Sequence, residues 1–255
     1  MCRSKAEAIP SNWPNLLALL NSRNGDFMNV SGFEKIDAML SESEVNDIGR
    51  LIIDRIYSLT GQKIESVEKY HTLPDSVHEL LLSKKDSRVF PHKSVQKILS
   101  MPSFLKLQDY FAGFAISDVV TEDHELNRKE IYFRLVRPHR LSDIGCPHCD
   151  FWFHKAYDLK YGGPGTTWKC WIPITVEPRK SGLEFFPHAL LNEVRYSADN
   201  KRLSCDKGQA ALGKPLLVPV QPGDALFFRD DVIHSGAVNE GSDTRSSIEI
   251  TFIQK

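Results

Sequence analysis

The chain has 255 residues and a mass of 29.0 kDa, with 41% hydrophobic and 25% charged residues. That is the balance of a globular protein with a sizeable core, not of a disordered, collagenous or disulfide-stapled chain. Lys and Arg number 32 against 33 Asp and Glu, giving a formal charge of −1 and a pI near 6.8; with no global positive field, neither nucleic acid nor an anionic membrane is expected as a partner.

Met1-Cys2-Arg3-Ser4-Lys5-Ala6-Glu7 carries an acidic residue and runs on to Pro10 and Pro14 instead of an apolar stretch, so no secretory signal is expected. The longest apolar runs, Leu16 to Leu20 and Ile248 to Ile253, are far shorter than the roughly 18 residues of a membrane span. Five cysteines, Cys2, Cys146, Cys149, Cys170 and Cys205, are sparse and odd in number, which suits free thiols in a reducing compartment and a cytoplasmic location.

Ser41 and Glu44 form a capping-box pattern ahead of Val45, Ile48, Ile52, Ile56 and Leu59, whose helical spacing runs until Gly61. Further helical patterns follow at Val77 to Leu82, Val95 to Leu99 and Phe104 to Phe111. From residue 131 the period changes to two. Ile131, Phe133 and Leu135 alternate with Tyr132, Arg134 and Val136, and Trp168 to Ile174, Leu183 to Phe186, Leu216 to Val220, Ala225 to Phe228 and Ile248 to Ile253 are short, aromatic or β-branched, and bounded by Gly or Pro. Such strands without intervening helices predict an antiparallel sandwich or barrel. No repeat or Ser/Gly linker divides the chain, so residues 1–255 are expected to form one domain, with a mainly helical part (1–125) buttressing a β core (126–255).

His148 is the one histidine followed two residues later by a carboxylate, in Gly145-Cys146-Pro147-His148-Cys149-Asp150. In a strand, positions i and i+2 share a face, so His148 and Asp150 can present an imidazole and a carboxylate to one ion. His234 follows a turn and a strand, Pro222 to Phe228, and precedes Ser235-Gly236. The three make a 2-His-1-carboxylate facial triad, which leaves half of an octahedral Fe(II) open to other ligands. Arg245 then begins Arg245-Ser246-Ser247 at the head of a strand. Directed inward with Ser247 on the same face, it offers a guanidinium fork and a hydroxyl to a carboxylate.

With these pieces the sequence resembles the Fe(II)/2-oxoglutarate-dependent dioxygenases, in particular the phytanoyl-CoA dioxygenase-like branch. The resemblance rests on His148-Cys149-Asp150, Trp171-Ile172-Pro173-Ile174, Ser181-Gly182-Leu183 through Phe186-Pro187-His188, Pro222-Gly223-Asp224, His234-Ser235-Gly236-Ala237-Val238-Asn239 and Arg245-Ser246-Ser247, over roughly residues 131–255, with looser similarity from Gly32-Phe33 through the 41–60 helix. It implies a mainly β fold, a double-stranded β-helix (jelly-roll, cupin-like) core with a helical N-terminal buttress. It further implies Fe(II) on His148, Asp150 and His234, and 2-oxoglutarate held through its distal carboxylate by Arg245 with Ser247 and Trp171. O2 would be the oxidant and ascorbate a supporting reductant, and a small molecule would be oxidised as succinate and CO2 are released. Asp150 favours hydroxylation or another oxidation, because related halogenases carry a small residue there to seat a halide. The chain departs from the family's usual Gly-Ser-His in having Pro187-His188-Ala189-Leu190.

Two other readings compete. A cupin-type isomerase, or a sugar-binding or interaction domain of the same fold, has no need of a carboxylate fork beside the triad. A zinc site on Cys146 and Cys149 with His148 and His154 lacks a second ligand pair at finger spacing. The 151–168 segment, with Trp152, Tyr157 and Gly162-Gly163-Pro164-Gly165, is expected either to cover the site as a lid or to supply core aromatics and a turn. Arg134, Arg137, Arg140, Lys155, Lys169 and Arg179 fit either an acidic substrate or solvated strand edges.

Overall fold

The computed structural model describes residues 32–83, 85–116, 129–156, 167–199 and 202–254. Strand β1 (Phe33–Ile36) precedes helix α1 (Glu42–Thr60), which begins and ends where the sequence places it. The Ser41 hydroxyl accepts the Glu44 N–H while Glu44 Oε2 accepts the Ser41 N–H at 2.8 Å, and Gly61, with φ 70°, donates its N–H to Tyr57 O. Glu44 also accepts the backbone N–H and hydroxyl of Ser103, so one carboxylate closes two helix starts. The second belongs to α4 (Pro102–Tyr110), which follows α2 (Asp75–Ser83) and α3 (His92–Leu99).

The remaining elements are strands β2 (Phe114–Ile116) and β3 (Tyr132–Val136), helix α5 (Asp150–Ala156), and strands β4 (Thr167–Thr175), β5 (Leu183–Phe185), β6 (Ser197–Asp199), β7 (Arg202–Ser204), β8 (Leu216–Leu217), β9 (Ala225–Arg229), β10 (His234–Gly236) and β11 (Arg245–Gln254). An antiparallel six-stranded sheet runs β1-β9-β4-β11-β2, with β3 beside the first half of β11; β10-β5-β8 form a second sheet and β6-β7 a hairpin. Trp171, Leu226 and Phe228 of the large sheet pack with Leu183 and Phe185 of the small one. This is the jelly-roll core. Strands β1 and β2 lie in the half that reads as helical, since three or four residues are too short to show a period. The strand expected over Leu216 to Val220 narrows to β8, for Pro219 has no N–H to extend the ladder.

Both faces of the large sheet are covered, which is why every residue of β4 is buried. Trp168, Cys170, Ile172 and Ile174 join Ile248, Ile250 and Phe252 of β11 against Ile48, Ile52 and Ile56 of α1. Their neighbours at alternate positions, Lys169, Trp171, Arg245 and Glu249, line a cavity of about 540 Å³ on the opposite face. The helical layer therefore backs the wall that carries the site.

Candidate metal centre

His148 and His234 meet across a two-residue antiparallel bridge. The His148 N–H donates to His234 O at 2.9 Å and the His234 N–H returns to His148 O at 2.8 Å, which sets the rings 4.6 Å apart. Asp150 does not continue that extended stretch, as the His-x-Asp pattern predicts, but opens α5. The chain turns at Cys149, whose carbonyl accepts the Trp152 N–H, and a carboxylate is favoured in the first turn of a helix. The ligands still converge: one atom from each of His148, Asp150 and His234 lies within 4.8 Å of the others.

Each imidazole has a fixed tautomer. His148 Nδ1 is 2.8 Å from Cys146 O and His234 Nδ1 is 3.0 Å from Val232 O; a carbonyl only accepts, so both Nδ1 atoms carry hydrogen and both Nε2 lone pairs are free for a ligand. Burial first, then His234, depress the His148 pKa to about 4, so its ring stays neutral at physiological pH, as metal ligation requires. Asp150 Oδ2 is buried with no hydrogen-bond partner. A buried carboxylate oxygen in that condition is costly, and a divalent cation among these three ligands relieves it. Iron fits the donor set, two neutral imidazoles and one carboxylate in one octant. Zinc at the cysteines does not fit: Cys146 Sγ donates to Leu203 O, and Cys149 sits in an apolar cluster that pushes its thiol up to about 12.

The opposite wall belongs to β11 and its neighbours. Arg245 is 3% exposed. Its Nη1 donates to Ser247 Oγ at 3.1 Å, its guanidinium lies 5.6 Å from the centroid of the Trp171 ring, and its Nε has no partner. Burial and Arg134 lower its pKa to about 10, which leaves it cationic. The three cosubstrate residues named from the sequence thus stand together. Next to them Lys169 Nζ lies 3.0 Å from Glu249 Oε1 and 3.8 Å from Asp150 Oδ1. Burial would raise the Glu249 carboxyl, but Lys169 and Arg134 hold it down at about 2. Lys169 thus faces two carboxylates, paired with Glu249 and 3.8 Å from the nearer oxygen of Asp150.

Sequence reasoning missed Glu249, Arg88 and Asp143, all of which line the cavity. Glu249 was legible, as it continues the i, i+2 row of Arg245 and Ser247; the other two reach the site from 3₁₀ turns. Trp152 resolves as core, 3% exposed and stacked on Tyr196 with centroids 4.1 Å apart. Tyr157 and Gly162 to Gly165 lie outside the described residues. Of the basic residues, buried Lys169 and exposed Arg134 line the cavity, Arg137 is bound to Asp143, and Arg140 and Arg179 are exposed. Lys155 is outside the described side chains. His188, in the divergent loop, is exposed and packs near Gly213.

A model of the phytanoyl-CoA dioxygenase (PhyH) family matches residues 32–247. The sequence matches none of the curated proteins. Among solved structures, the apo form of the non-haem monooxygenase ThoJ is 11% identical at a TM-score of 0.54, with 88% of this chain and 75% of that one covered. AviO1 from Streptomyces viridochromogenes Tue57 is 14% identical at 0.52, over 97% and 96%. The epimerase SnoN, solved with Fe3+, α-ketoglutarate and nogalamycin RO, is 16% identical at 0.50, over 94% and 84%. At these identities the likeness establishes the fold.

Proposed function

The chain belongs to the phytanoyl-CoA dioxygenase family of Fe(II)- and 2-oxoglutarate-dependent oxygenases, and on that premise we propose that His148, Asp150 and His234 hold its iron while Arg245 and Ser247 hold the distal carboxylate of 2-oxoglutarate. The observation that carries the assignment is a juxtaposition. Three ligand atoms within 4.8 Å of one another, on side chains that include the orphaned Oδ2 of Asp150, share a cavity with a buried guanidinium whose Nε is also orphaned. A scaffold or isomerase gains nothing from a buried arginine with no carboxylate partner, which is expensive to keep.

Bound there, iron with O2 and the oxo acid supplies an oxidant for an unactivated C–H, and succinate and CO2 are released. The chain's own contribution is orientation. The carbonyls of Cys146 and Val232 aim both Nε2 atoms at one point, Lys169 steadies Asp150, and Ser247 and Trp171 hold the Arg245 fork against the sheet. The prime substrate is a small molecule, for which about 540 Å³ is a suitable volume, and a carboxylate at Asp150 favours hydroxylation or another oxidation of that substrate over halogenation. The setting is the cytoplasm, in keeping with the free thiols of Cys146, Cys149, Cys170 and Cys205. The test is an anaerobic titration of the Fe(II)-loaded protein with 2-oxoglutarate, followed by admission of O2. A metal-to-cosubstrate absorption band and succinate release are expected; absence of both overturns the assignment.

A further inference from the structure

Beyond the cosubstrate fork the cavity holds a second pair of guanidiniums. Arg88 ends a 3₁₀ turn, Lys85–Arg88, which is fastened to the large sheet by the Val89–Tyr132 bridge and to α1 by a hydrogen bond from Arg55 Nη2 to Asp86 O. Arg134 projects from β3 opposite Ser247 in the register with β11. Both line the same cavity as the triad. Among the described residues neither guanidinium has a carboxylate within ion-pair distance, whereas Arg137 is held by Asp143 and Lys169 by Glu249.

Charge balance makes this pairing informative. The lining carries four cations, Arg88, Arg134, Lys169 and Arg245, and three carboxylates, Asp143, Asp150 and Glu249. Asp143 is neutralised from behind by Arg137. A divalent metal and a dianionic cosubstrate cancel each other, so the loaded cavity keeps two positive charges. Arg245 belongs to the cosubstrate, Lys169 to Glu249 and Asp150, and the surplus falls on Arg88 and Arg134. Arg88 is half-buried and Arg134 exposed where they line the cavity; the two like charges repel, and burial followed by Arg134 lowers the Arg88 pKa to about 10. An anion between them reverses that penalty.

Resting on the oxygenase reading, we propose that Arg88 and Arg134 form a second anion site, which grips a carboxylate or phosphate of the prime substrate and so suspends its reacting carbon near His148, Asp150 and His234. The substrate class is thereby narrowed to anionic small molecules, with two guanidinium forks suited to a dianion above a monoanion.

The test uses Fe(II)-loaded protein saturated with 2-oxoglutarate and kept anaerobic, titrated calorimetrically with n-butyl phosphate, hexanoate, hexanamide and hexylamine. Binding of the two anions, and not of the amide or the amine, is expected. Arg88→Gln and Arg134→Gln should each weaken the anions by roughly tenfold or more, with melting temperature and cosubstrate affinity little changed. Tighter phosphate than carboxylate identifies a phosphate ester as the substrate class; parity identifies a carboxylate. The proposal is overturned if neither anion binds, if the amide or amine binds as well, or if both variants bind the anions like wild type. It also fails if Arg134→Gln loses 2-oxoglutarate affinity tenfold, since the pair then serves the cosubstrate. A wild-type protein that forms no 2-oxoglutarate band removes the oxygenase reading and this one together.

Discussion

The two walls of the cavity are built in opposite ways. The anchor wall is regular: Arg245, Ser247, Glu249, Lys169 and Trp171 stand at alternate positions of β4 and β11, nine- and ten-residue strands backed by the helical layer. The ligand wall is irregular. His148 hangs on a two-residue bridge, Asp150 on the first residue of a seven-residue helix, and His234 on a three-residue strand. Long strands impose spacing on the anchor wall through the pleat. The ligand wall must instead be assembled from individual bonds, namely the paired His148–His234 amides, Phe151 N–H to Asp230 O and the two carbonyls that fix the imidazoles. Substitutions on the two walls should therefore fail differently.

The largest effect is expected at the ligands. His148→Ala, Asp150→Ala and His234→Ala should each abolish turnover and bound iron while the fold survives, because each removes a ligand and leaves the His148–His234 backbone bridge and the hydrophobic clusters in place. Metal content by elemental analysis, beside a thermal melt, checks this; retained near-normal 2-oxoglutarate decarboxylation in any of the three sinks the triad. Trp152→Ala comes next. Trp152 lies under the ligand wall, packed with Cys149, Phe186 and Ile233, so its truncation should cost about 3–5 kcal/mol of stability and reduce all activities together. Phe153 lines the cavity, with its ring 5.4 Å from His148, and Phe153→Ala should instead slow substrate oxidation while sparing the melt.

Asp143→Asn attacks the support of the ligand wall. The Asp143 carboxylate accepts the Arg137 N–H and two guanidinium hydrogen bonds, and the remaining Nη1 donates to His78 Nδ1 at 2.6 Å. Burial would raise the Asp143 carboxyl; Arg137 more than offsets this and holds it below the usual carboxylate range. Losing one partner of such a buried pair costs about 3 kcal/mol or more. A depressed native pKa means the stabilisation is complete above the unfolded value of about 4 and fades below it. The gap in melting temperature between wild type and variant should thus be widest at neutral pH and narrow on acidification; a gap independent of pH would show that the carboxylate's charge is not what matters.

On the anchor wall, Arg245→Leu is expected to raise the 2-oxoglutarate dissociation constant by about a hundredfold, as a desolvated charge-assisted contact is worth about 2–3 kcal/mol, with iron affinity unchanged. Titration of the metal-to-cosubstrate band measures it. An unaltered constant would move the carboxylate to another cation.

The same contrast explains what could be read from the sequence. Arg245, Ser247 and Trp171 were legible because a strand repeats every two residues, and the ends of α1 because Ser41, Glu44 and Gly61 are local devices. His148 and His234 were found as residue types in order. Their geometry was not, since the helical start at Asp150 depends on Trp152 N–H reaching Cys149 O and on Phe151 pairing with Asp230, 79 positions away. Arg88 stayed hidden for the same reason: nothing in a 3₁₀ turn between two helices signals that it faces a cavity until Val89 bridges to Tyr132.

The smallest expected effect lies where the two walls touch. Gly236 ends β10, and a Cβ built there would stand 3.2 Å from Ile144 Cγ2 and 3.5 Å from Arg245 Nη2. No positive φ restricts this glycine, so alanine is opposed by crowding alone, which a shift of a few tenths of an ångström relieves. Ile144 follows Asp143 in the segment that leads to His148, and the gap forces either Ile144 away from β10 or the guanidinium off its bearing on Ser247. Gly236→Ala should therefore weaken 2-oxoglutarate by about threefold, a fraction of the loss in Arg245→Leu, and leave the iron stoichiometry intact because the paired His148–His234 amides do not involve the new methyl. The outcome that would refute this is iron loss with unchanged cosubstrate affinity, which would mean that the crowding is relieved through the 144–148 segment and that the ligand wall, not the anchor wall, is the softer of the two.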